Sequence, residues 1–265
     1  MVFLVYLVVG AIAGVLAGLF GVGGGTIIVA ALLLCFKWQG LATGLQAHIA
    51  IGTSLACIIV TSAGSTLAHH GTGAVRWQLV WRLVPGLILG VWFGADIAAA
   101  MKSTHLQILF GLFVWIMAAQ MLLDWQPSAM SEVPGRMGLG IAGSIIGFMA
   151  ALFGIGGGAL IVPFLTACRV RIQEAVATSA ACGFPIALGG GLAYVFQGWQ
   201  HAGLPQYSVG FVYLPALLGI SIASFPFTRA GAAMAHRWPA KKLQRFFAVF
   251  LLFIGAFLLI DYGYF

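Results

Sequence analysis

Leu19-Phe20-Gly21-Val22-Gly23-Gly24-Gly25 and Leu152-Phe153-Gly154-Ile155-Gly156-Gly157-Gly158 are one phrase written twice, differing only at Val22 and Ile155. Each copy follows a long apolar run and precedes a shorter one, 26–36 and 159–168. A glycine costs a helix about 1 kcal/mol relative to alanine, so four of them in five positions end it. Inside a membrane the freed N–H and C=O groups have to be buried in protein or line a cavity, because lipid cannot hydrogen-bond them. A helix break that recurs in both halves of an apolar chain is the strongest sequence pointer to a transporter's binding site.

The rest of the chain supplies that membrane context. Of 265 residues, 62% are hydrophobic and 6% charged, with a mean hydropathy of +1.08. A soluble domain carries about 25% charged residues, so the composition is that of an integral membrane protein. The first basic residue is Lys37, so the N-terminus lacks the positive region of a cleavable leader, and no attached soluble domain is expected. The formal charge of +7 is scattered through short loops, which suits charges that set topology rather than a nucleic-acid surface. Four cysteines in apolar segments, without CxxC spacing, support neither a disulfide framework nor a zinc site.

Apolar segments fall at 2–20, 26–36, 46–68, 78–100, 104–123, 137–153, 159–168, 173–196, 209–228 and 242–262. Those near 20 residues can span a bilayer and those of 10 or 11 cannot. The halves match beyond the glycines. Gly52-Thr53-Ser54-Leu55-Ala56-Cys57 pairs with Ala177-Thr178-Ser179-Ala180-Ala181-Cys182, Leu83-Val84-Pro85 with Tyr213-Leu214-Pro215, and Cys35 with Cys168. If each broken segment dips in and returns, the second half is upside down, and ten of the twelve Lys and Arg residues fall on one side, leaving Lys37 and Lys102 on the other. Parallel repeats divide the same charges nine to three, so the positive-inside rule favours inversion. The expected fold is an all-α membrane protein of two inverted repeats, each a glycine-broken re-entrant helical hairpin plus three transmembrane helices, with both termini outside. The repeats are residues 1–125 and 137–265, joined by a polar loop at 126–136. Gly10, Gly14 and Gly18, like Gly86, Gly90 and Gly94, recur at fourth positions and are expected to be helix-packing residues.

Three readings of the glycine tracts compete. A dinucleotide fingerprint needs a soluble strand–turn–helix unit and a later acidic residue, and neither surrounds these tracts. A helix crossing that merely tolerates glycine wants small residues at every fourth position rather than in series. Paired half-helix ends, with new helices starting at Thr26 and Ala159, would present N–H groups and positive dipole ends to an anion. Gly21, Gly23, Gly24, Gly25 and Thr26, with Gly154, Gly156, Gly157 and Gly158, are therefore the candidate binding residues.

At these residues the sequence resembles the TauE/SafE sulfite exporter family. The resemblance covers essentially the whole chain and is carried by both glycine tracts, by Ile161-Val162-Pro163, and by Gly52-Thr53-Ser54 and Ala177-Thr178-Ser179. Val29-Ala30 stands in the first half where the second has Val162-Pro163, a departure from the family's usual proline. The resemblance implies a multi-pass bacterial inner-membrane permease for small sulfur-containing anions such as sulfite or sulfoacetate.

Thr53, Ser54, Thr178 and Ser179 could offer hydroxyls to an oxyanion, or bond to backbone and bridge helices. His48, one turn before Gly52, and its counterpart Gln173 are further candidates, and His48 could also exchange a proton. Gln46 is a weaker candidate, His69, Tyr194 and Gln197 could line a gate, and Cys57 and Cys182 read as buried small hydrophobes. Asp96, Asp124, Glu132, Glu174 and Asp261 are the only acids, none convincingly at mid-membrane, where ion-coupled carriers keep carboxylates. A potential negative inside favours exit of a monovalent anion by about 2.3 kcal/mol per 100 mV, so export needs no coupling ion whereas uptake does. No HExxH, paired carboxylates or Cys/His ligand spacing points to an enzyme. The expected partners are a small anion and the lipid bilayer, with a homo-oligomer left open; no cofactor, metal or nucleic acid is expected. Proton-coupled uptake of a sulfur or carboxylate anion, and a channel-like or accessory role, remain the alternatives.

Overall fold

A computed structural model of the chain describes residues 2–20, 24–41, 44–71, 73–123, 133–199, 201, 203–234, 245, 248–253 and 255–256. Nine helices are delimited among them: α1 (Val2–Phe20), α2 (Gly25–Trp38), α3 (Gln46–His70), α4 (Trp77–Ala100), α5 (Ser103–Leu122), α6 (Arg136–Phe153), α7 (Gly158–Ala167), α8 (Ile172–Gly198) and α9 (Leu214–Met234). Residues 248–253 and 255–256 are also helical. Helices α3, α4, α5, α6 and α8 are long and apolar enough to cross a membrane. The protein is thus an all-α membrane protein, as the apolar segments predict. Most of the 126–136 connection, and most of the segment at 242–262, lie outside the described residues.

One element departs from the expected pattern. The start of the apolar stretch 209–228 is not helix but a small hairpin, β1 (Ser208–Val209) pairing with β2 (Val212–Tyr213). Gly210, at φ +55°, takes the first place of its two-residue turn, where left-handed backbone is required. The hairpin is pressed onto α8, so that a Cβ on Gly198 would lie 2.4 Å from the Phe211 nitrogen.

Helices α3 and α8 pack against each other at the centre, and 83% of the most apolar window of α3 is buried. Around them, α6 runs beside α4 and α1 beside α9, with backbones in close approach at the small residues. Cβ atoms on Gly86, Gly90 and Gly94 would lie 2.0, 2.0 and 2.6 Å from the carbonyl oxygens of Gly140, Ser144 and Phe148. Gly10 and Gly14 meet Ile220 and Ser224 in the same way. Both contacts are therefore parallel, the residue numbers rising together.

The directions of the hairpin arms follow from these neighbours. Gln39, at the end of α2, donates from Nε2 to the Tyr6 hydroxyl at 3.1 Å, so α2 returns to the end where α1 began. There α3 starts. Glu174, in the first turn of α8, is ion-paired with Arg76 Nε at 2.7 Å, just ahead of α4. Since α6 runs parallel to α4 and α7 leads directly into α8, α6 and α7 share the opposite end of the bundle. Although α6 has spanning length, its last residue, Phe153, stacks at 4.2 Å on Phe113 in the middle of α5.

Similar contacts recur in the two halves of the chain. Thr53 and Thr178 receive the N–H groups of Tyr213 and Arg76, and Gly10 and Gly143 approach the carbonyls of Ile220 and Leu83. Leu83 lies in the second turn of α4, whereas Tyr213 precedes α9. Pro85 lies well inside α4, and Pro215 is the second residue of α9.

Candidate functional site

Both glycine tracts interrupt helix, and both do so with the same backbone device. Gly24 and Gly157 precede α2 and α7 with φ of +69° and +75°, a left-handed conformation in which a side chain is strained. Their carbonyls open the new helices, accepting from Ile27 and Ile28 in one case and from Leu160 and Ile161 in the other. The helices start at Gly25 and Gly158, one residue before the expected Thr26 and Ala159. Gly21 and Gly23 lie outside the described residues.

The tips of the two hairpins touch. A Cβ on Gly25 would lie 2.6 Å from the Gly154 oxygen and 2.9 Å from Ile155 Cα, so neither tract leaves room for a side chain at that point. Ser54 secures the contact: its hydroxyl donates to the Gly154 carbonyl at 2.8 Å and lies 3.3 Å from the Gly25 carbonyl. Tyr194 braces the approach, its hydroxyl donating at 3.0 Å to the Ala151 carbonyl near the end of α6. Thr26, 3% exposed in the first turn of α2, has no hydrogen-bond partner for its hydroxyl among the described residues. Orphan hydroxyls of this kind are uncommon in a protein interior and call for an explanation.

A small cavity lies beside the second tract, lined by Ser62 and Ser65 of α3, by Gly156, and by Ser179, Ala180 and Gly183 of α8. At about 10 Å³ it holds roughly one water. Ser65 Oγ is buried there with no partner among the described residues. Ser62, Ser65 and Gly183 were not singled out from the sequence. The signal was present: Ser54, Ile58, Ser62 and Ser65 recur at three- and four-residue spacing, one face of a helix.

The remaining candidates are dispersed. Thr53 Oγ1 accepts the Tyr213 N–H at 2.9 Å and Thr178 Oγ1 the Arg76 N–H at 3.1 Å, so both side chains tie α3 and α8 to the segments that lead into α9 and α4. Ser179 donates to the Val176 carbonyl in its own helix at 2.9 Å. His48 lies about 9 Å along α3 from Ser54, at the end where that helix begins. Gln173 is exposed at the opposite end of the bundle. Gln46 bonds to the Leu41 carbonyl, and Gln197 donates to Asp96. Cys57 and Cys182 are fully buried.

Five apolar helices of spanning length among the described residues, and two broken hairpins meeting inside the bundle, define a multi-pass membrane protein with glycines at its centre. The comparisons carry the assignment further: the chain belongs to the sulfite exporter TauE/SafE family, which it matches over residues 6–258. A protein of Haemophilus influenzae named "Probable membrane transporter protein" is 37% identical, covering 95% of this chain and 96% of its own length. Proteins named as probable membrane transporters from Methanocaldococcus jannaschii and Bacillus subtilis are each 27% identical, covering 96% and 98% of this chain and 94% and 98% of their own. No solved structure matches significantly. The chain is a membrane transporter of this family.

Proposed function

We propose that the transporter exports a small sulfur-containing anion, sulfite, sulfoacetate or a related organosulfonate, by alternating access of two inverted halves around the paired glycine tracts. It would act as a carrier rather than an enzyme, in the bacterial inner membrane, with both termini on the periplasmic side. The substrate class rests on the family. The observation that carries the mechanism is the meeting of the Gly25 and Gly154 tips, held by Ser54, inside the bundle. There the N-termini of α2 and α7, without side-chain caps, bring positive helix ends together, and the orphan hydroxyl of Thr26 lies in the first turn of α2. A cavity of one-water size admits no anion in this conformation, and passage requires the tips to part. The paired threonine bonds and the parallel α1/α9 and α4/α6 contacts support an inverted duplication, with 1–125 and 137–265 as the two repeats.

Proteoliposomes preloaded with sulfite test the proposal. Efflux driven by a potassium-diffusion potential with no proton gradient is the expected result. Strict dependence on a proton gradient would overturn it and favour coupled uptake. Labelling of a cysteine placed at the C-terminus tests the orientation separately, a cytoplasmic C-terminus refuting it.

A further inference from the structure

Arg76, in the turn between α3 and α4, is bound twice to the second half of the chain. Its N–H donates to Thr178 Oγ1 at 3.1 Å, and its Nε pairs with Glu174 Oε2 at 2.7 Å. Glu174 and Thr178 stand one turn apart on the same face of α8, so backbone and side chain grip one stripe of that helix. The Glu174 side chain is only 12% exposed, and its other oxygen accepts from Arg171 Nε at 3.1 Å. An exposed ion pair contributes little, but a nearly buried carboxylate is costly to leave without a partner. His70 Nδ1 accepts from Trp77 Nε1 at 3.3 Å, which draws the end of α3 into the same corner.

The small cavity of Ser62, Ser65, Ser179 and Gly183 lies between this corner and the hairpin tips. Ser179 is about 7.5 Å beyond Glu174 along α8, and Ser62 is about 12 Å beyond Ser54 along α3. Ser54, Ile58, Ser62 and Ser65 share one face of α3. That face points at the tips, since Ser54 bonds to Gly154 and a Cβ on Gly25 would lie 2.8 Å from Ile58 Cδ1. From the tips outward the order is therefore Ser54, the cavity, then Thr178, Arg76 and Glu174.

The opposite end is built differently. A cavity of about 280 Å³ there is shared by His48, Lys102 and His201. Close contacts of α3 with α8 and with the hairpin separate it from the tips. A Cβ on Gly190 would lie 2.9 Å from Leu55 Cδ1, and one on Gly52 would lie 2.6 Å from the Phe211 oxygen. The hydroxyl-bearing face of α3 thus leads only towards Arg76.

We propose that Arg76 is the gating residue of this end: its bonds to Glu174 and Thr178 latch the two halves together, and their release opens the serine-lined cavity to solvent. The arrangement suits a latch rather than a permanent staple. When Arg76 leaves, Glu174 keeps Arg171 as its partner, and the half-exposed Arg76 side chain returns to water. On the orientation proposed above this is the cytoplasmic side, where an exported anion enters, so the inference rests on the alternating-access reading.

The test is labelling of Ser65→Cys in the full chain, in oriented membrane vesicles, with a membrane-impermeant sulfonated methanethiosulfonate. The native cysteines are buried, and the chain without Ser65→Cys sets the background. Gln78→Cys, exposed on the same rim, marks the face of the vesicle that carries the latch. With Arg76 in place, Ser65→Cys reacts slowly from that face. Arg76→Gln and Glu174→Gln each speed the reaction about tenfold, and the double variant is no faster than either alone. Arg76→Lys keeps most of the slow rate. Arg171→Gln, whose ion pair stays within the second half, remains within about twofold of the parent. Unchanged labelling in both Arg76→Gln and Glu174→Gln overturns the proposal, as do additive effects in the double variant or acceleration from the opposite face alone. Sulfite efflux is scored separately in the same vesicles. The expected labelling pattern without any efflux would remove the export reading and leave the latch standing.

Discussion

The Ser54 hydroxyl reaches across the bundle to the Gly154 carbonyl at 2.8 Å, so α3 holds the second glycine tract in place. The bond is buried, with Ser54 fully inaccessible. Removing one partner of such a bond leaves a carbonyl unsatisfied and costs about 1–3 kcal/mol. Ser54→Ala should therefore lower the unfolding temperature in detergent, and transport should fall with it because the tips lose their common anchor. Unchanged stability would mean that the tips are held by packing alone.

The hydroxyl oxygens of Thr53 and Thr178, candidates for touching substrate, accept the amides of Tyr213 and Arg76 and so also hold helices together. Thr53→Val and Thr178→Val should each destabilise by about 1–3 kcal/mol, with Thr→Ser at the same positions restoring most of it. The apparent Michaelis constant for efflux should stay within a factor of about two. A several-fold rise in it, at unchanged stability, would return both hydroxyls to the substrate path.

Gly183 faces the small cavity. A methyl there would sit 3.1 Å from the Gly156 oxygen and 3.4 Å from Ser62 Cβ, tight but without a backbone clash below 3.0 Å. Gly183→Ala should fold and insert normally while reducing efflux at least about tenfold, a barrier increase of roughly 1.4 kcal/mol. Full activity in a correctly inserted Gly183→Ala would separate the cavity from the transport route.

The α4–α6 contact offers a paired test of packing. A methyl on Gly90 would meet the Ser144 oxygen at 2.0 Å, whereas one on Gly140 meets nothing within 4 Å. Gly90→Ala should cost about 1–3 kcal/mol or more through forced separation of the helices. Gly140→Ala should be neutral or stabilising by up to about 1 kcal/mol through helix propensity. Thermal unfolding of the two variants side by side gives the answer.

Much of the architecture was readable along the chain because it rests on local chemistry. The scarcity of charge and the runs of 18 or more apolar residues are enough to place helices in a bilayer, and α3, α4, α5, α6 and α8 begin and end within two residues of the apolar segments. Glycines in series break a helix whatever surrounds them, so the positions of the breaks needed no knowledge of neighbours. Pro85 and Pro215, by contrast, match in sequence but sit at different depths in α4 and α9, since residue identity says nothing about which turn of a helix it falls on.

Composition and periodicity thus determined the class of protein and the two points at which helix must stop. They could not decide that Gly25 abuts Gly154, that the threonine hydroxyls bond to backbone amides ahead of α4 and α9, or that His48, Lys102 and His201 share one cavity. Those facts depend on the register and crossing of helices far apart in sequence. Close packing of backbones at small residues sets that register, and no stretch of chain records it on its own.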